Sequence, residues 1–439
     1  MAQPSLSIDS SQRYLVKSDG TAFFWLGDTA WELFHRLSRE EADLYLRNRA
    51  EKGFTVIQAV ALAELDGLNE PNFYGERPLE ENDPTKPREA YFQHVDYIVR
   101  RAGELGLYIG LLPTWGDKLF KESWGTGPEI FNADNAYSFG RWIGNRYRNT
   151  TNIIWILGGD RNPRNENDLG VWRAMARGIA EGVGGHDKAF MTFHPQPNNV
   201  NQGGSAQWFH QDNWLDFNML QTGHCRENTI YDRIQYVYHL SPAKPVINGE
   251  PIYEDHPVCF NAKDLGMSNA YDVRRDAYLS VFAGAFGHTY GCHDVWQMWA
   301  PHRQSINGAS TPWYVALDLP GASQMKYLRK LMESRPITDR FPDNSIVNPV
   351  LGSNDRIQAT LGKDYIMVYS TQGKPFTVST GKISGKEIVA AWFNPRNGEV
   401  TAIGKFPKKQ QQLFTPPSQG YGHDWVLVVD DASKNYPIR

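Results

Sequence analysis

The property that most constrains this chain is a regular alternation of short apolar runs with amphipathic segments. "FFWLGDT" (Phe23 to Thr29) is the first such run, and "SREEADLYLRNRAEKG" is its amphipathic partner. In that partner Ser38 stands before two acids, Ala42, Leu46 and Ala50 fall at helical spacing, and Gly53 stops the pattern. The unit recurs with "FTVIQAVAL", "LYIGLLPTW", "NIIWILGGD", "AFMTFHP", "FNMLQTGH", "KPVINGEP" and "GHTYGCHDV" as strands, and "GASQMKYLRKLMES" closes the series as a helix. Ile153 to Leu157 are apolar at every position, the mark of a strand covered on both faces and hence of a parallel sheet wrapped by helices. Eight strand–helix units over roughly 300 residues predict a (β/α)8 TIM barrel. A doubly wound open sheet is the alternative, but it seldom alternates eight times without an edge strand or hairpin. Between the fifth and sixth strands "WFHQDNWLD" leaves room for a short helix only.

After Pro336 the texture changes to short alternating strands separated by Gly-Lys, Gln-Gly-Lys and Arg-Asn-Gly turns, with "DWVLVVDD" as one more strand near the end. The predicted organisation is an α/β barrel over residues 1–338, with a short N-terminal lead-in, and a small antiparallel β-sandwich over residues 339–439.

The 439 residues carry 45 Lys and Arg against 49 Asp and Glu, a formal net charge of −4. That balance argues against a nucleic-acid partner. No apolar run reaches the roughly 20 residues that span a membrane. The N-terminal "MAQPSLSIDSSQRYLV" has no basic stretch followed by an apolar one, so no signal peptide is expected in this stretch. The expected compartment is therefore the cytoplasm, or the periplasm or exterior where a leader has been removed. Three cysteines (Cys225, Cys259, Cys292) are too few for a disulfide framework. Aromatic residues reach 13%, with 14 Trp, and several fall near predicted strand ends, where flat apolar faces suit sugar rings.

In a (β/α)8 barrel the active-site groups sit at the C-terminal ends of the strands. Asp160 ends the fourth strand and Glu250 the seventh, so the two acids can face each other across the mouth. Two carboxyls across one bond are what glycoside hydrolysis requires, one donating a proton and the other attacking the sugar or activating water. Asp160 is the expected general acid/base and Glu250 the expected nucleophile. Each follows a glycine, Gly159 and Gly249, read as clearance beside the reacting group. A carboxyl separation of about 5–5.5 Å means retention and one of about 6.5–9.5 Å inversion; retention is the expectation. Such a reaction needs no cofactor and no metal, and its partner is an oligosaccharide substrate.

The other strand ends offer candidate substrate contacts: Asp28 and Trp31, Trp115 and Lys118, Asn162, His194, Gln221 and His224, and Tyr290 with Trp296. Asp28 serves as well as a cap for the following helix, and Glu64, Asp117 and Asp294 are rival acids. Many retaining barrel enzymes carry Asn-Glu at the end of the fourth strand, where the Asn binds the sugar 2-hydroxyl. Here Gly159-Asp160 stands in that place, and Asn162 and His194 are the candidates for that contact.

Two other classes compete. A metal-dependent barrel hydrolase would draw on His224 and Cys225 or on His288, Cys292 and His293, but the His-x-His pair usual at the first strand is missing. A catalytically inactive carbohydrate-binding protein would use the aromatic rim without needing paired acids. No G-x-S-x-G elbow or phosphate-cradling glycine loop follows any strand.

Taken together, "FFWLGDTAWELFHRLSREEADLYLRNRAEKGFTVIQ", "DYIVRRAGELGLYIGLLPTWGDK", "NIIWILGGDRNP", "PVINGEPIYE" and "ALDLPGASQMKYLRKLM" resemble the apiosidase-like glycoside hydrolases (family 140), over nearly the whole chain. Relatives carry a C-terminal domain of collagen-binding type. The resemblance implies cleavage of apiose-containing linkages in pectic side chains, with Asp160 matching the acid/base and Glu250 the nucleophile.

Overall fold

The computed structural model describes residues 3–197, 203–226 and 229–437. A three-stranded antiparallel sheet (Leu6–Ile8, Leu15–Lys17, Ala22–Phe23) leads into the barrel. The barrel strands are β1 (Trp25–Thr29), β2 (Val56–Leu62), β3 (Tyr108–Thr114), β4 (Ile153–Gly158), β5 (Met191–His194), β6 (Asn218–Gln221), β7 (Val246–Glu250) and β8 (Gly287–Tyr290). All are parallel, every residue in them is buried, and β8 pairs with β1 as well as with β7. Between β5 and β6 no ladder forms. Two hydrogen bonds bring the edges together instead, from Thr192 Oγ1 to the Phe217 carbonyl (2.7 Å) and from the Asp216 N–H to the Met191 carbonyl (2.9 Å). The expected TIM-like barrel is thus present and nearly closed.

The helices run α1 (Arg39–Glu51), α2 (Glu89–Glu104), α3 (Ala133–Arg146), α4 (Glu166–Val183), the single turn α5 (Ala206–Phe209), α6 (Ile230–Tyr238), α7 (Ala270–Phe282) and α8 (Pro320–Glu333). Ser38 starts α1 with a reciprocal cap: its Oγ accepts the Glu41 N–H, and Glu41 Oε2 accepts the Ser38 N–H. Helices α3 and α4 touch through glycines, since a Cβ on Gly178 would stand 2.2 Å from the Tyr137 carbonyl oxygen. One strip of small residues therefore fixes how closely these helices approach.

Beyond Phe341 the chain forms two antiparallel sheets. The six-stranded one holds Ile357–Leu361, Tyr365–Ser370, Glu387–Phe393, Val400–Pro407 and Trp425–Asp431 with the short Phe341–Pro342 at its edge, and the three-stranded one pairs Val347–Asn348, Phe376–Val378 and Gln412–Phe414. Their common core includes Ile366, Val368, Trp392 and Leu427. The opposite face of the larger sheet joins the barrel core through Tyr365, Met367, Tyr369 and Val428. Helix α7 is buried from Tyr271 to Phe282. Arg274 forms a two-point ion pair with Asp424 (2.6 and 2.8 Å), and Tyr278 stacks on Tyr369 with ring centres 4.9 Å apart.

Candidate active site

The chain leaves β4 by an abrupt turn, with Gly158 at φ +88° and Gly159 at +114°. Asp160 itself lies at φ +50°, a left-handed conformation that Asp tolerates better than most residues. The glycines do not clear space for a ligand as expected. A Cβ on Gly158 would stand 2.3 Å from the His194 carbonyl oxygen, one on Gly159 2.7 Å from the Trp115 ring, and one on Gly249 2.5 Å from Met219 Sδ. That space is filled by protein.

The turn aims the Asp160 N–H at Nδ1 of His194, 3.3 Å away. Because Nδ1 accepts, the ring proton resides on Nε2, which lies 3.0 Å from Glu250 Oε2. This approach is close but poorly aligned, so neither Nε2 nor Oε2 has a directed hydrogen-bond partner. His224 Nε2 stands 3.5 Å from Glu250 Oε1 on the other side. The Tyr253 hydroxyl lies near Glu250 and accepts the Trp31 indole N–H (3.2 Å). Gln221 stands near the Asp160 carboxyl, and Arg161 Nη1 lies 3.1 Å from its Oδ2.

These surroundings drive the two carboxyls apart. Burial and then the Glu250 charge push Asp160 up to about 6, against Arg161 and His194. Burial would raise Glu250 as well, but the close approach of the His194 and His224 rings outweighs it and holds Glu250 at about 2. Asp160 keeps 20% of its side chain exposed, whereas Glu250 is buried. A third carboxyl, Glu64, is pushed well up by burial and by the charges of Asp160 and Asp117.

The remaining strand-end residues divide by burial. Trp31 and Trp115 form the back wall behind His194, with ring centres 5.4 and 5.8 Å from it and 5.0 Å from each other. Both are buried, so neither is an open platform. Asn162 is half-buried, and its Oδ1 accepts the Gln196 N–H (3.0 Å). Trp296 donates to His293 Nδ1 (3.3 Å). Asp28, Lys118 and Tyr290 do not reach the mouth as substrate contacts. Asp28 is fully buried against Arg49 Nε (2.6 Å) and the Tyr45 hydroxyl, Lys118 against both oxygens of Asp117 (2.8 and 3.0 Å), and Tyr290 donates to Glu254 Oε2 (2.6 Å). Charges this deep must be paired, and strand-end position alone does not say which ones are. Asp117 is thereby ion-paired, and Asp294 is occupied by the Ser310 and Thr311 N–H groups (2.9 Å each).

Cys225 and Cys259 form a disulfide, joining the segment after β6 to the one after β7. The Cys259 N–H also donates to the His224 carbonyl (2.8 Å), so the bridge pins the residue next to Glu250. The bridge removes Cys225 from any ligand set, and His288 lies inside the barrel, where burial lowers it to about 3. Among the described residues no three His, Cys, Asp or Glu side chains are grouped to hold a metal ion. Also among them, no helix is long and apolar enough to cross a membrane. Sequence reasoning missed roles for Arg161, Tyr253 and the disulfide. Arg161 was signalled by its place beside Asp160, the other two by nothing local.

The family described as "Apiosidase-like, catalytic domain" matches residues 9–339, and "Putative collagen-binding domain of a collagenase" matches residues 341–430. A solved structure described as "Glycoside hydrolase" is 38% identical, with a TM-score of 0.90, and the match covers 99% of this chain and 98% of that one. A glycoside hydrolase family 5 structure from Bacteroides vulgatus is 35% identical, with a TM-score of 0.89 and coverage of 99% and 95%. Another Bacteroides vulgatus structure, 14% identical with a TM-score of 0.69 over 98% of this chain and 83% of that one, shares the fold. No curated protein matches. The chain is a glycosidase and belongs to the apiosidase-like glycoside hydrolases.

Proposed function

We propose that the enzyme hydrolyses pectic oligosaccharides, releasing apiose, by a two-carboxylate retaining reaction. The observation that carries this reading is the opposed state of the two strand-end acids, Asp160 protonated up to about 6 and Glu250 ionised down to about 2. Asp160 gives its proton to the glycosidic oxygen while Glu250 attacks the anomeric carbon, and the leaving sugar departs as an alcohol. Water then attacks the glycosyl ester, losing its proton to the Asp160 carboxylate and freeing Glu250. Once the ester forms, the negative charge has moved from Glu250 to Asp160, so the same mutual repulsion keeps only one carboxyl ionised at a time.

His194 and His224 hold Glu250 as an anion, which keeps it a nucleophile rather than a second acid. The preference for apiose rests on family membership. The Cys225–Cys259 bridge supports an oxidising compartment, periplasmic or extracellular. Screening against a panel of pectic oligosaccharides, with NMR of the first-formed anomer, tests substrate and stereochemistry together. Release of the inverted anomer would overturn the retaining step, and release of a different sugar the apiose assignment.

A further inference from the structure

The tryptophans at the strand ends are buried, yet an exposed one is joined to the proposed acid through a shared arginine. Trp124 lies in the loop between β3 and α3 and is 52% exposed. The Arg161 guanidinium carbon sits 4.7 Å from the centre of its ring. The same guanidinium reaches the Asp160 carboxylate through Nη1 and is fixed from behind by the carbonyls of Phe120 and Lys121, each 3.0 Å away.

The loop that carries Trp124 is built rather than free. The Gly125 N–H donates to the Lys121 carbonyl (3.1 Å), and the Gly127 N–H donates to Asp117 Oδ2 (2.9 Å). Asp117 is the acid locked to Lys118 inside the wall. A Cβ on Gly125 would stand 2.6 Å from Arg161 Nη2, so the loop closes tightly over the guanidinium. Arg161 therefore engages the Trp124 ring and the Asp160 carboxyl at once, and half of the Trp124 surface faces solvent.

We propose that Trp124 is the stacking platform for the leaving-group sugar, holding its apolar face while Asp160 protonates the oxygen that links it to the glycone. The occupant follows from position. The leaving group is the part of a glycan that lies against the acid, and a flat, half-exposed indole is the surface that a pyranose ring covers. The cation behind the ring fixes its orientation.

The inference rests on Asp160 being the acid, and two substrates separate the two claims. One is an apiose-bearing pectic oligosaccharide. The other is apiosyl fluoride, whose C–F bond breaks to release fluoride with no proton from Asp160 and no sugar for Trp124 to hold. For Trp124→Ala, kcat/KM on the oligosaccharide should fall roughly tenfold, mostly through KM, while fluoride release stays within about twofold of wild type. Trp124→Tyr, which keeps a flat ring, should recover most of the loss. The alkaline limb of the pH profile should stay in place in both variants, because Arg161 still reaches Asp160.

Equal losses on both substrates, or no loss on either, would overturn the platform. An Asp160→Asn variant that cleaves the oligosaccharide as well as wild type, or a wild-type enzyme that cleaves neither substrate, would overturn the underlying reading and the platform with it.

Discussion

The main-chain N–H of Asp160 and the His194 ring are hydrogen-bonded at 3.3 Å, so the residue proposed as acid decides which ring nitrogen its neighbour turns toward the proposed nucleophile. Backbone strain at Asp160 and the charge state of Glu250 are thereby linked through one imidazole.

The pH dependence of kcat/KM should be a broad bell. Glu250 must be ionised, so activity falls as pH drops toward about 2, and Asp160 must be protonated, so it falls as pH rises through about 6. Glu250→Gln removes the charge that raises Asp160, and NMR titration of Asp160 in that variant should show a lower pKa. An unchanged value would mean that burial alone sets it.

Asp160 also leaves a mark on stability. Its folded pKa lies above the unfolded one, so folding takes up a proton and stability declines as pH rises between about 4 and 6. Asp160→Asn should therefore be more stable than wild type at pH 7, by up to about 3 kcal/mol, and equal to it below about pH 4. Denaturant unfolding at the two pH values measures the difference.

Replacing His194 by Ala takes away the first of the two imidazoles that keep Glu250 ionised. The acid limb of the pH profile should move up by about one unit or more, and kcat should drop with it. A drop in kcat with the acid limb unmoved would assign His194 a packing role only.

Reducing the Cys225–Cys259 bridge opens a loop of 34 residues in sequence separation. The expected loss is about 2–4 kcal/mol of stability, read by calorimetry with and without reductant. His224 should also loosen from Glu250, raising the acid limb further. Unchanged Tm and pH profile would show that the two segments hold each other without the bond.

Truncating Arg274 to Ala leaves Asp424 charged and buried at the seam between the barrel and the sandwich. A cost of about 3–5 kcal/mol is expected. Because the two parts share one core, calorimetry should show a single transition in wild type, and two separated transitions would contradict that shared core.

The sequence by itself determined the parts whose signals are local. The strands are legible because burial on both faces leaves short, mostly apolar runs, unbroken from Ile153 to Leu157, and α1 because Ser38 and Glu41 cap it within one turn. From the order of those strands, Asp160 and Glu250 could be placed on opposite sides of the mouth. What each strand-end side chain does there was decided by partners far away in the chain. Asp28 is taken by Arg49 and Cys225 by Cys259, Trp115 turns inward while Trp124 in the loop beyond it faces outward, and at the seam with the sandwich Asp424 is taken by Arg274 from 150 residues away. Propensity and periodicity act over a few residues, whereas the pairing of a buried charge is settled only when the closed fold brings its counter-ion within reach.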